Sequence, residues 1–171
     1  MKIGIVSAEG RGETDRLISE TALALVKGGA QLSGIVKVLD EPQPEGSHHC
    51  DMSVQVLPGE NTIKITQSLG DGSQGCRLNP TAIVEAVAAV ESGANATMDL
   101  FVLNKFGPQE AEGRGFRDAI ATALENDVPV LVGVTPGTRA EFDAFTAGMA
   151  VELPADNQDI LTWCQIAMTK G

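Results

Sequence analysis

The stretch MDLFVLNKFGPQEAEGRGFRD (Met98–Asp118) contains the transition that decides the fold. Asp99-Leu-Phe-Val-Leu103 is a short apolar run bounded by polar residues, the pattern of a strand buried on both faces of a parallel sheet. Phe116, Ile120 and Leu124 then recur every four residues, so a helix packs one face back on that sheet. Between them lies a polar, cationic loop: Asn104-Lys105-Phe106-Gly107-Pro108, two acids, and Gly113-Arg114-Gly115. Ligands of open α/β sheets sit beyond the carboxyl ends of the strands, which makes this loop the first candidate site.

The same alternation of strand and helix runs outward in both directions. Lys2–Ser7 reads as the first strand, and Thr14–Lys27 as a helix with Leu17, Ile18, Leu25 and Val26 inward, closed by Gly28-Gly29. Leu32–Leu39 is a second strand, followed by the turn-rich loop Asp40–Ser47. Residues 50–67 change period: Met52–Leu57 and Thr62–Thr66 alternate apolar and polar around Pro58-Gly59, which predicts an antiparallel hairpin inserted at the sheet edge. Asn79 and Pro80 start a helix to about Ser92 with Ile83, Val84, Val87 and Val90 on one face. Val128–Val134 is a buried strand, Thr138 caps a short helix carrying Phe142 and Phe145 inward, Ala150–Leu153 is a last short strand, and Asp156–Met168 is an amphipathic helix. The expectation is an α/β fold, a mostly parallel sheet with helices on both faces and a β-hairpin insertion, formed by residues 1–171 as one domain.

Composition narrows the function classes. At 171 residues the chain supports one domain with an aliphatic core, since aromatics make up only 4%. A formal net charge of −11 works against nucleic-acid or anionic membrane partners, which need a broad basic face. No stretch reads as a signal peptide or a membrane span, and three cysteines without framework spacing suit a reducing compartment, so the expected location is cytoplasmic. Cys164 falls on an apolar helical face, as a core residue does. His48-His49-Cys50-Asp51 gathers metal-ligand residue types, but adjacent side chains on an extended chain point to opposite sides, and no metal site is expected.

A small anion needs only a local pocket, and the cations are unevenly placed. Arg11, Lys105, Arg114, Arg117 and Arg139 all follow predicted strands, a placement that also fits the general preference of charge for loops. Ser7-Ala-Glu-Gly-Arg-Gly-Glu-Thr14 stands between strand and helix, where phosphate-binding loops occur. Set against G-x-x-x-x-G-K-[ST], Gly12 and Thr14 match, Ser7 replaces the first glycine, and Glu13 replaces the lysine. A carboxylate there repels terminal phosphates, so efficient triphosphate hydrolysis is not expected and no catalytic residue is assigned. The helix amino terminus can still hold an oxyanion. Cys76-Arg77 precedes the helix at Asn79, from which Arg77 either meets an anion or is simply solvated. The candidate anion-binding residues are therefore Gly10, Arg11, Gly12, Thr14, Cys76, Arg77, Lys105, Gly107, Arg114 and Arg117.

Three segments carry a family resemblance: FVLNKFGPQEAEGRGFRDAI, CDM at Cys50–Met52 and GCRLNP at Gly75–Pro80. Together they resemble an uncharacterised bacterial family whose members are sometimes labelled nucleoside-triphosphatases and which is similar to small P-loop nucleotide-binding proteins. The resemblance implies a three-layer P-loop NTPase-like sandwich, and it associates some relatives with molybdate handling. Two functions of different class follow. The first is a binding protein that holds a nucleotide phosphate or a tetrahedral oxyanion, molybdate or tungstate. The second is a weak Mg²⁺-dependent triphosphatase in which Lys105 replaces the missing lysine, Thr14 meets Mg²⁺, and Glu110 or Glu112 positions water. A protein-binding adaptor is a third reading, and an acidic chain with open sheet edges can pair with itself as a homodimer.

Overall fold

The computed structural model describes residues 2–39, 52–67, 77–93 and 97–169. The readings placed on Asp40–Ser47, on His48, His49 and Cys50, and on Cys76 lie outside the described residues.

Seven strands form one sheet: β1 (Ile3–Val6), β2 (Leu32–Lys37), β3 (Ser53–Leu57), β4 (Thr62–Lys64), β7 (Leu100–Phe106), β8 (Val130–Val134) and β9 (Val151–Leu153), in the spatial order β4-β3-β2-β7-β8-β1-β9. The five from β2 to β9 in that order are mutually parallel, while β3 and β4 add antiparallel at the β2 edge. A separate two-stranded ladder pairs β5 (Thr66–Gln67) with β6 (Arg77–Leu78). The helices are α1 (Glu13–Lys27), α2 (Pro80–Gly93), the single turn α3 (Pro108–Ala111), α4 (Arg117–Glu125), α5 (Arg139–Phe145) and α6 (Asn157–Met168).

Alternation along the parallel strands divides the core between two faces. On one face Val6, Val36, Leu100, Val102 and Leu131 pack with Leu17, Ile18, Ala22 and Leu25 of α1 and Ile160 and Cys164 of α6. On the other Ile3, Ile5, Ile35, Phe101, Leu103, Val130 and Val132 pack with Ile83, Ala86 and Val90 of α2, Ile120 of α4 and Phe142 of α5. The connection from β1 to β2 uses the first face, and the later ones, which run the opposite way across the sheet, use the second. This is what right-handed crossovers require, and the result is a three-layer sandwich of the P-loop NTPase type. No helix among the described residues is long and apolar enough to cross a membrane.

Local signals account for most element ends. Asn79 Oδ1 accepts from the backbone N–H of Thr81 at 3.1 Å, capping α2, and Asp156 does the same for Gln158 at 2.8 Å in α6. Buried Cys164 behaves as a small hydrophobe, its thiol pushed up to about 12 by desolvation. Three expectations need correction. Val84 is 69% exposed, because the contact stripe of α2 runs through Ala82, Ile83, Ala86 and Val90 and Val84 stands a quarter turn away. Thr138 does not cap α5 with its side chain; its hydroxyl donates to Phe106 O at 2.8 Å, tying the turn Pro136–Thr138 to β7. The strand read as ending at Leu103 continues through Asn104, Lys105 and Phe106, so Lys105 belongs to the sheet and not to the loop.

That extension is irregular in a way that matters. Leu103 pairs with Val132 and Phe106 with Val134, so β7 spends three steps where β8 spends two. The extra residue is a bulge, and it re-aims side chains that simple alternation would send to opposite faces. Gly133 makes room for it: a Cβ there would lie 2.1 Å from the carbonyl oxygen of Asn104 and 3.0 Å from Thr14 Cγ2.

Candidate functional site

The carboxyl ends of β1, β2, β7 and β8 meet at one rim, and the glycine loop between β1 and α1 lies there. Gly10 and Gly12 adopt left-handed backbone, with φ of 98° and 79°, and Gly12 is the residue from which α1 begins. The first amides of a helix have no acceptor within it, so this end of a 15-residue helix presents donors and the positive pole of its dipole. Arg16 N bonds Gly12 O at 2.9 Å and fixes the first turn. Thr14 is buried, its hydroxyl accepting from Ala8 N at 3.0 Å, which pins the loop to the helix.

Glu13, the residue in place of the phosphate-loop lysine, turns along the helix. Both its oxygens take the Arg16 guanidinium, at 3.0 and 2.5 Å, and that hydrogen-bonded cation holds its carboxyl below the usual range. Arg16 also pairs with Glu20, which in turn accepts from Asn157 Nδ2 at 2.6 Å. This chain of charges runs down the flank of α1.

The centre of the rim is Asp15, only 4% exposed. Its Oδ1 accepts from Asn104 Nδ2 at 2.7 Å and lies 3.4 Å from Lys105 Nζ. Its Oδ2 lies 3.6 Å from Lys37 Nζ. Asn104 is oriented by its other bonds: its Oδ1 accepts from Lys37 N at 3.1 Å and Ser19 Oγ at 3.4 Å. Through the β7 bulge, Asn104 and Lys105 reach the same carboxylate although they are sequence neighbours. Lys37 comes to it from the end of β2. Two ammonium groups share one carboxylate, leaving a positive charge in excess, and their side chains remain 30% and 42% exposed. A buried charge without partners would be costly, and here every Asp15 oxygen has one.

The Gly107–Phe116 loop behaves differently. Glu110, 5% exposed, accepts from Gly107 N at 2.9 Å and Phe116 N at 3.0 Å. Burial pushes its carboxyl above the ordinary range despite those bonds. Gly115 has φ of 60°, and a Cβ there would fall 2.2 Å from Glu110 Oε1, so the carboxylate takes space that only glycine leaves. Arg114 pairs with Glu112 in the open. Arg117 Nη1 donates to Glu110 O at 3.3 Å, and its guanidinium lies 4.6 Å from the Phe145 ring centroid, beside Phe106 and Phe142. Arg139 is held by Asp143 and Glu152.

The structure therefore brings together Gly10, Gly12, Thr14 and Lys105 of the candidates. Arg11 stands exposed on the same loop. Among the bonds and ion pairs of the described residues, none joins Gly107, Arg114 or Arg117 to that loop. Arg77 is placed by its backbone in β6, opposite Gln67. Sequence reasoning missed Asp15, Lys37, Asn104 and Ser19. A signal existed for two of them: Asp15, Ser19 and Ala22 share one helical stripe, so a carboxylate faces the sheet. Among the described residues no group of three or more His, Cys, Asp or Glu side chains is placed to hold a metal ion.

The fold is an α/β sandwich of the P-loop NTPase-like kind, with a glycine loop that departs from the phosphate-loop pattern at Ser7 and Glu13. More narrowly, the chain belongs to the family described as "Protein of unknown function (DUF2478)", whose model matches residues 3–163. It is 35% identical over 153 residues to the Molybdenum import ATP-binding protein ModC 2 of Bradyrhizobium diazoefficiens. That similarity covers 88% of this chain but 17% of the relative, so the chain spans about a sixth of that protein. No solved structure matches the chain.

Proposed function

We propose that this protein binds a small anion on a degenerate phosphate-loop scaffold, holding a nucleotide phosphate or a tetrahedral oxyanion such as molybdate over the amino terminus of α1. One observation carries the reading: Lys37 and Lys105, from the ends of two parallel strands, converge on Asp15 beside the glycine loop, two ammonium groups to one carboxylate. Gly10 to Thr14 supply backbone donors, Arg11 and the two lysines supply charge. Similarity to a protein named for ATP binding supports the nucleotide phosphate, and that protein's naming for molybdenum import is the reason molybdate is tried beside it. Efficient triphosphate hydrolysis is not part of the reading, because Glu13 stands where the lysine is needed and is bound to Arg16.

Thermal unfolding with ATP, GTP, molybdate, tungstate and sulfate tests it, since a ligand at a hundred times its Kd stabilises by about 2.7 kcal/mol. At least one anion should raise the melting temperature of the native chain, and the rise should shrink in Lys105→Ala. Indifference to all of them would refute the reading.

A further inference from the structure

The two edges of the main sheet are built differently. At one, β4 exposes Thr62 and Lys64 on either side of buried Ile63, the polar and charged surface with which an edge strand avoids pairing. At the other, β9 pairs among the described residues only with β1, so its outer row of backbone donors and acceptors faces away from the sheet. Met149 and Val151 stand beside that row, 54% and 53% exposed.

The apolar surface continues onto α6. Val151 is in register with Gly4, and a Cβ on Gly4 would lie 2.8 Å from Trp163 Cζ3, so Val151 and half-buried Trp163 share one face of the sheet at its margin. Asn157 turns to Glu20 of α1; at about 100° per residue, Trp163 and then Ile166 lie successively further round α6 on the flank away from α1. Ile166 is 65% exposed, and Lys2, donating from Nζ to Ala167 O and Thr169 O, ties the last turn of α6 to the start of β1. Met149, Val151, Trp163 and Ile166 therefore form one apolar strip along an open strand. Three of the six large hydrophobic residues exposed among the described residues fall in it, a concentration that marks a contact surface.

We propose that this strip joins two copies of the chain, β9 pairing antiparallel with β9 of the second copy about a two-fold axis. Charge selects that occupant. The formal net charge of −11 opposes self-association over most of the molecule. At this margin Lys2 and Arg139 offset Glu152 and Asp143, the last two held by Arg139, and Asp159 stands two turns from Ile166 at the other end of α6. A second copy thus meets a face close to neutral, where a strongly charged partner finds no complement. The side chains also set the register. With Val151 opposite its own counterpart, Met149 comes opposite Leu153 and Glu152 opposite Ala150, and each Arg139 gains diagonal reach to the other copy's Glu152. Centring the pair on Glu152 would set like charges opposite each other, which destabilises. The contact is isologous, closes at two copies and covers both open edges.

Sedimentation velocity of the native chain across a concentration series tests this. The native chain should move toward twice the chain mass as concentration rises. Val151→Lys and Ile166→Lys should each weaken association at least about tenfold, because each takes an ammonium group into a mostly apolar contact. Val84→Lys, at an exposed apolar residue of α2, should leave association unchanged. Circular dichroism melting shows that each variant is folded, and Ile166→Lys alters an exposed side chain outside the sheet. A native chain that stays monomeric at every concentration, with or without another protein bound at β9, would overturn the proposal. So would a dimer that both Val151→Lys and Ile166→Lys leave intact, or one that Val84→Lys disrupts instead.

Discussion

The β1–α1 loop and the Gly107–Phe116 loop follow parallel strands at the same rim and use the same residue types, yet they dispose of their charge differently. In the second, Glu110 consumes two backbone donors, Glu112 takes Arg114, and Arg117 rests on a carbonyl and an aromatic ring. Its polar groups answer one another. Around the first, two lysines divide a single carboxylate and the start of α1 has no side-chain cap. The lesson is that polar and cationic composition does not mark a ligand site. What marks it is donor capacity left over after the internal partners are counted.

Substitutions can break that contrast, and the largest expected effect is on the self-satisfied side. Glu110→Ala strands two amides, one of them buried, and should cost about 2–4 kcal/mol in urea unfolding at one to two lost bonds' worth each. Anion affinity should survive it. A stable variant that has lost its ligand would reverse the roles of the two loops. Next, Lys105→Ala should lower anion affinity about tenfold while stability moves by under about 1 kcal/mol, as expected for a partly exposed pair.

The pH dependence is smaller and has a definite sign. Folding raises the Glu110 carboxyl above its ordinary 4.5, so the native state binds more protons than the unfolded chain between those two values. The contribution is fully present below the unfolded value and is lost as pH rises through the folded one. Glu110→Gln should remove this segment of the stability profile, measured by urea midpoints from pH 4 upward; an unchanged profile would contradict it. Smallest of all, Arg114→Ala should alter stability by less than about 0.5 kcal/mol and leave anion affinity alone, because its ion pair is exposed.

Much of the architecture was legible because apolar periodicity reports burial directly. Lys2–Ser7, Asp99–Leu103 and Val128–Val134 read as short apolar strands, each holds a strand of the sheet, and the stripes of α1 and α6 pack on that sheet as their spacing requires. Asn79 and Asp156 announced helix starts by residue type alone. What stayed hidden depends on contacts between distant segments. The β7 bulge is set by pairing with β8 and by the space at Gly133, and nothing in Leu-Asn-Lys-Phe announces it. Lys37 looked like any charged residue at a strand end until β2 was placed beside β7. The cations of the Met98–Asp118 stretch attracted attention by their density, but Glu110 and Glu112 stand beside them in the same loop. The candidate site was read as lying at the rim, and the two lysines that the structure brings to Asp15 there come from residues whose meeting is tertiary.

Amide shifts of the ¹⁵N-labelled native chain during titration with molybdate and with ATP locate the ligand most directly. The largest shifts should fall on Gly10 to Thr14, with Lys37 and Lys105 beside them and with Gly113 to Phe116 nearly still. Shifts centred on Gly113 to Phe116, with Gly10 to Thr14 unmoved, would contradict the account.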